Sequence, residues 1–164
     1  MPTAVDCLLL ALMAYFITMN VTVERCYCSM TVEACAVADW PLAAVTLDFC
    51  KSYNPLFLLR PEWMRMATCI SAYGFLWGYL IIAMAAAFNL WRRLKLPILL
   101  FLGMKLNALI YYHVMEFTSA TPPPAPGVYF GVEGPYLVSI AIVVAKLVYL
   151  ADDPSPSPAK KKSK

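Results

Sequence analysis

Four polar or ionisable residues fall within one apolar stretch, residues 96–117. They are Lys105, Asn107, His113 and Glu116. If the stretch is helical, the eleven steps from Lys105 to Glu116 bring both residues near one face, because each step turns the helix by about 100°. His113 and Glu116 are three residues apart and can touch. A histidine beside a carboxylate can transfer protons, so His113 and Glu116 are the candidate catalytic residues.

Ionisable groups inside a membrane are costly, which makes each of them a functional candidate. Lys105, His113 and Glu116, the three ionisable residues named above, also have a structural explanation. His113 and Glu116 lie about a turn from its end and can reach headgroup water, while Lys105 can extend its amine toward the opposite surface. Glu24, at the end of an earlier apolar stretch, is a further carboxylate that could face a cavity.

Aromatic residues are dense in the same half of the chain. Tyr73 and Trp77 are four residues apart and share a helical face, and Tyr112 lies between Lys105 and Glu116. Aromatic walls suit a flat apolar ligand or the cation of an amine ligand. Ordinary packing between helices is the alternative.

The composition is that of a membrane protein. Of 164 residues, 62% are hydrophobic and only 14% are charged, with a net charge of +3. The basic residues form no stripe among solvated aromatics, so we expect no nucleic-acid partner. The sequence has no glycine-rich phosphate loop, no metal-ligand spacing of His and Cys, and no nucleophile elbow, so we expect neither a metal nor a cofactor.

Four apolar stretches are candidates to cross the membrane, at residues 5–23, 64–90, 96–117 and 135–150, the last with a possible start near Val128. A hydrocarbon core of about 30 Å requires about 20 helical residues, and such stretches must be helices in lipid. The first could instead be a cleaved signal peptide. No Lys or Arg precedes it and no small-x-small site follows it, so we interpret it as a retained helix. The sequence therefore predicts an all-α integral membrane protein, a four-helix bundle formed by residues 1–150.

The distribution of basic residues predicts the orientation. Arg92, Arg93 and Lys95 lie between the second and third helices, and four further lysines lie at the C-terminal end. Positive charges favour the cytosolic face, so we expect both termini there and the loop 24–62 in the lumen. Residues 151–164 are polar and proline-rich, which predicts a disordered basic cytosolic tail.

The end of this tail bears on localisation. Lys161 and Lys162 occupy the fourth and third positions from the end, as in the dilysine signal of endoplasmic-reticulum membrane proteins. The alternative is a basic tail that contacts anionic headgroups. We expect a multi-pass protein of the endoplasmic-reticulum membrane.

Four of the six cysteines lie in the loop 24–62. They are Cys26, Cys28, Cys35 and Cys50. In an oxidising lumen they can form two disulfides, with three possible connectivities, and we favour bonds from Cys26 or Cys28 to Cys35 or Cys50. The alternative is packed or lipid-facing thiols. Cys7 and Cys69 lie inside predicted helices, where we expect them to be apolar filling.

The entry to the second helix carries a resemblance. A small polar residue precedes Pro55-Leu56, and Pro61 and Trp63 follow, an order that resembles the EXPERA family of the sigma-2 receptor and the emopamil-binding protein. Similar features continue in the turn before Pro97, in Pro135-Tyr136-Leu137 and in the lysine-rich end. The resemblance implies a reticulum-resident four-helix bundle, a homodimer, and an intramembrane cavity for sterols or cationic amphiphiles.

The resemblance also suggests which residues bind the ligand. Asn54 stands where ligand-binding members carry an aspartate, and Ser71 stands where they carry a carboxylate. Glu24 is our candidate for the carboxylate of the first helix. An amide supplies hydrogen bonds without a counter-charge, so a neutral sterol or lipid is favoured over an amine. The predicted ligand contacts are Glu24, Asn54, Trp77, Tyr112 and Glu116.

Three functions follow from these observations. We favour a non-enzymatic binder of a sterol or similar lipid, with a role in sterol or lipid homeostasis. The alternative is a sterol double-bond isomerase using His113 and Glu116, although the family's own spacing of His and Glu on the second helix is not reproduced. A structural subunit of a membrane complex is the second alternative, because the fold alone does not fix the function.

Overall fold

A computed structural model describes residues 2–40 and 42–152. Within these ranges the chain forms seven helices and no strand, so the predicted all-α fold is confirmed. The helices are α1 (Ala4–Ser29), α2 (Val32–Val37), α3 (Ala43–Tyr53), α4 (Pro55–Leu59), α5 (Glu62–Phe88), α6 (Trp91–Phe117) and α7 (Pro126–Asp152). Ala151 and Asp152, the first two residues of the predicted disordered tail, belong to α7, and the rest of that tail lies outside the described residues.

Four of these helices, α1, α5, α6 and α7, are long and apolar enough to cross a membrane. All four begin before their predicted starts, and α1 and α7 differ most from the predicted bounds. Helix α1 continues beyond Val23, because Glu24 accepts a hydrogen bond from Asn20 and the Arg25 guanidinium lies 5.2 Å from the Tyr73 ring centroid. Helix α7 begins at Pro126, where proline suits a first turn because its missing N–H would have no partner there.

The core of the bundle is apolar and closely packed. Phe16 of α1 stacks on Tyr136 of α7 with ring centroids 4.2 Å apart. Helices α5 and α6 approach closely at Gly78, where an added Cβ would lie 2.2 Å from the Phe101 ring. Only a residue without a side chain fits at that position.

A polar cluster joins three helices at one end of the bundle. The Asp6 carboxylate is buried, and its Oδ1 accepts a hydrogen bond of 3.0 Å from Trp91 Nε1 and pairs with Lys146 Nζ at 3.0 Å. Lys146 also donates to Thr3 Oγ1. The start of α1, the start of α6 and the distal part of α7 therefore lie at the same end.

The opposite end is capped by the short helices α2, α3 and α4, which replace the polar loop expected at 24–62. Leu42 before α3 and Arg60 after α4 both have left-handed backbone angles. Arg60 is fixed there because its guanidinium donates to the carbonyl oxygen of Tyr27, with distances of 2.7 and 3.1 Å. The cap is thus attached to the end of α1.

Two disulfides lie at the capped end. One joins Cys26 to Cys35, a pairing that the sequence allowed. The other joins Cys28 to Cys69, so the expectation of two bonds among the loop cysteines is wrong, and Cys50 is a buried free thiol. The reason is that α1 extends to Ser29, which carries Cys28 against α5 with a Cα–Cα distance of 5.1 Å to Cys69.

Candidate ligand-binding site

A cavity of about 130 Å³ lies inside the bundle beneath α3. All four long helices contribute to its wall, and α3 and the start of α4 close it at the capped end. Most of the wall is apolar or aromatic. Its polar and ionisable lining residues are Glu24, Thr46, Cys50, Asn54, Thr68, Ser71, Lys105, Tyr112, Tyr129, Glu133 and Tyr136, with Tyr15 at the side of α1.

Two π-helical turns shape one side of the cavity. They are Asn20–Glu24 in α1 and Ser71–Phe75 in α5, and they pack against each other. The fully buried Asn20 amide joins them, because its Nδ2 donates to Glu24 Oε2 and to Ser71 Oγ, the latter at 3.2 Å. A π turn inserts a residue into a helix and often marks a functional site. Here the turns bring Glu24 and Ser71 to the cavity wall.

Lys105 lies on the opposite side, in the middle of α6, and is only 7% exposed. Its ammonium is surrounded by three aromatic rings, with Nζ 4.9 Å from the centroid of Phe75, 5.6 Å from Tyr79 and 4.7 Å from Tyr136. It makes no ion pair with any described residue. The attraction between the cation and the ring faces therefore replaces a carboxylate partner.

Glu133 of α7 is the third Asp, Glu, Lys or Arg residue that lines the cavity, together with Glu24 and Lys105. Its carboxylate makes no hydrogen bond or ion pair within residues 2–40 and 42–152. Sequence reasoning missed this residue because the last span was assigned to 135–150, which left Glu133 in a loop. The signal that could have found it is an acidic residue inside the apolar run that begins near Val128.

The cap contributes Asn54, Cys50 and two neighbouring side chains of α3. Asn54 is buried, donates to Tyr112 Oη at 3.5 Å, and accepts from the backbone N–H of Phe57 at 3.2 Å. Burial raises the pKa of the Cys50 thiol to about 12, so the thiol is neutral at physiological pH. Three of the predicted ligand contacts, Glu24, Asn54 and Tyr112, therefore line the cavity.

The other predicted site residues lie elsewhere. Trp77 is 66% exposed on the outer face of α5 and Tyr73 is 51% exposed, so the face that their spacing predicts they share points away from the cavity. Glu116 is fully buried but does not line the cavity, and neither of its carboxylate oxygens has a hydrogen-bond partner among the described residues. His113 contacts Tyr129 Oη through Nδ1 at 3.0 Å rather than pairing with Glu116. The structure does not join His113 and Glu116 into an acid and base pair.

The cavity can hold the polar end of a small amphiphile. Carboxylates and an ammonium supply hydrogen-bond acceptors and donors, and the aromatic and aliphatic wall accommodates an apolar body. No metal-binding cluster is found among the described residues. The chain matches no family model, and comparisons with curated proteins and with solved structures found no match.

Proposed function

We propose that the chain is a multi-pass protein of the endoplasmic-reticulum membrane that binds a sterol or a similar amphiphile in this cavity, in the service of sterol or lipid homeostasis. One observation carries the proposal: a largely apolar cavity inside four apolar helices is lined by two carboxyl groups, of Glu24 and Glu133, and by the amine of Lys105. Ligand sites have this composition, an apolar wall with a few convergent polar groups. The resemblance of residues 52–63 to the EXPERA family supplies the ligand class.

Two features support the orientation and the compartment. Both disulfides lie at the capped end, and disulfides persist in oxidising compartments. The basic residues Arg92, Arg93 and Lys95 lie at the start of α6, at the other end of the bundle, and such residues favour the cytosol. Both features support a lumenal cap and cytosolic termini.

Lipid analysis of the purified protein tests the proposal. A sterol should be enriched over its level in the bulk membrane. A photoreactive sterol should label peptides of α3 and α6 that contain Phe49 and Tyr112, and excess unlabelled sterol should prevent the labelling. Labelling confined to the outer surface around Trp77 and unaffected by competition would contradict the proposal. A stoichiometric protein partner without enriched sterol would favour a structural subunit instead.

The isomerase is the second candidate, because Glu24 and Glu133 line the same cavity from different helices. In that reaction a carboxylic acid donates a proton to one carbon of a ring double bond, which makes the other carbon of that bond a cation. A carboxylate then removes a proton from the next carbon beyond the cation, so the double bond moves by one position. Glu24 and Glu133 would take the parts predicted for His113 and Glu116. A change of double-bond position in a labelled sterol, lost about 100-fold or more in Glu133→Gln, would support it. Bound but unconverted sterol would favour the binder.

A further inference from the structure

The rings of Phe75, Tyr79 and Tyr136 form an aromatic box around the Lys105 ammonium. Boxes of two or three aromatic rings are sites where proteins bind the cationic head of a ligand. In this cavity the rings of Phe75, Tyr79 and Tyr136 already surround a cation, the chain's own Lys105 ammonium. A ligand amine would find the ring faces occupied.

The charges of the cavity lead to the same conclusion. Its charged lining residues are one cation, Lys105, and two carboxylates, Glu24 and Glu133. The Lys105 ammonium offsets one carboxylate and would repel a second cation in a site of low dielectric constant. Glu24 is already engaged by the Asn20 amide, which leaves Glu133 as the carboxylate without a partner among the described residues.

We infer that Lys105 is a specificity-determining residue that occupies the place of a ligand's cation, so that the cavity selects a neutral hydroxyl end over an amine. This inference rests on the proposed function and specifies the ligand of the same site. A hydroxyl group can accept a hydrogen bond from an ammonium and donate one to a carboxylate. Lys105 and Glu133 together offer that complementary pair, whereas a protonated amine can only donate.

Replacement of Lys105 by methionine should change which ligand the cavity prefers. In Lys105→Met the unbranched side chain keeps much of the apolar volume but removes the cation. The aromatic rings then have no cation at their faces, and the two carboxylates, Glu24 and Glu133, lose the positive charge that offsets them. The variant should therefore prefer a cationic ligand over a neutral one.

A matched pair of ligands tests this reversal. A photoreactive sterol bound to the full-length protein in membranes is displaced by a 3β-hydroxysterol or by the same sterol with a 3β-amino group, which is protonated at pH 7. The wild-type protein should prefer the hydroxysterol by about tenfold or more, and Lys105→Met should prefer the aminosterol by a similar factor. In Lys105→Met/Glu133→Gln the gain for the aminosterol should disappear.

Lys95→Met is the matched control, because it removes a lysine from the same helix at an exposed position outside the cavity. It should keep the wild-type preference. A wild-type protein that binds the aminosterol as well as the hydroxysterol overturns the inference and leaves the proposed function standing. Failure of both sterols to displace the probe overturns the proposed function and the inference with it. The comparison of the two sterols on the wild-type protein decides the matter even if Lys105→Met does not fold.

Discussion

The indole N–H of Trp91 and the carboxylate of Asp6, 85 residues apart in sequence, form a buried hydrogen bond of 3.0 Å. Lys146 pairs with the same carboxylate oxygen, so one acidic side chain connects α1, α6 and α7. The side chains of Lys146 and Asp6 are only 14% and 5% exposed. Their pairing is therefore little screened by solvent.

Asp6→Ala should destabilise the protein by about 3–5 kcal/mol, because it leaves the Lys146 ammonium without its carboxylate partner and the Trp91 N–H without its acceptor. Thermal unfolding of the purified protein in detergent measures the loss. In Asp6→Ala/Lys146→Met most of the loss should be recovered, since no buried charge is left unpaired. A double variant as unstable as Asp6→Ala would argue against the pairing.

Cys28–Cys69 should contribute more stability than Cys26–Cys35. The two bonds join residues 41 and 9 positions apart, and the chain-entropy relation gives about 4 and about 2.5 kcal/mol for loops of those lengths. Non-reducing peptide mapping should recover both linkages and no linkage through Cys50. The unfolding temperature should fall further in Cys28→Ser/Cys69→Ser than in Cys26→Ser/Cys35→Ser.

Cys50 should resist alkylation by a thiol reagent at pH 8 in the folded protein. Its pKa of about 12 leaves roughly a thousandth of the thiolate that an ordinary cysteine has at this pH, and the thiolate is the reactive form. The exposed free thiol of Cys7 is the internal control and should react in detergent. Because the pKa is raised on folding, the unfolded thiol ionises first, and the free energy of unfolding should fall as the pH rises above about 9. Cys50→Ala should show a smaller fall, and rapid labelling of Cys50 at pH 8 would contradict its burial.

Gly78→Ala should destabilise the bundle by about 1–3 kcal/mol, because the new methyl group displaces the buried Phe101 ring. Gly103→Ala on α6 is the matched control, since nothing lies within 4 Å of a Cβ added there. The unfolding temperature of the Gly103→Ala variant should stay at or above that of the wild type, because alanine is a better helix former than glycine. Equal effects of the two substitutions would argue against the close approach of α5 and α6 at Gly78.

Phe49→Ala should weaken binding of the sterol probe about tenfold, because it removes part of the wall that α3 contributes to the cavity. Trp77→Ala is the control from the outer face of α5 and should leave the affinity unchanged. Competition of photolabelling by unlabelled sterol measures both affinities. The opposite order would place the ligand outside the bundle.

The four long helices were predictable because a backbone in lipid must satisfy its own hydrogen bonds, so an apolar stretch of sufficient length has few alternatives. Their ends were less predictable. The apolar patterns stop at three charged residues, Glu24, Arg25 and Glu133. Each of them nevertheless lies within a long helix, because its side chain contacts a partner or lines the cavity.

The least predictable feature was which face of each helix points toward the cavity. Tyr73 and Trp77 share a face of α5, as their spacing predicts, but both are more than half exposed, because the spacing does not fix whether that face points to the cavity or outward. The sequence also carries no signal for the two π turns that bring Glu24 and Ser71 to the cavity wall. The pairing of Cys28 with Cys69 was missed for a related reason, since it depends on where α1 ends against α5.

The Cys28–Cys69 bond limits the routes by which a molecule can exchange between the cavity and the lipid. It joins α1 to α5 at the capped end, close to the two π turns that form one wall. A covalent link at that position prevents these two helices from separating there, so this side of the bundle stays closed during exchange. A ligand therefore has to enter or leave between a different pair of helices or beneath α3. Reduction of the Cys28–Cys69 bond would add a second route, between α1 and α5.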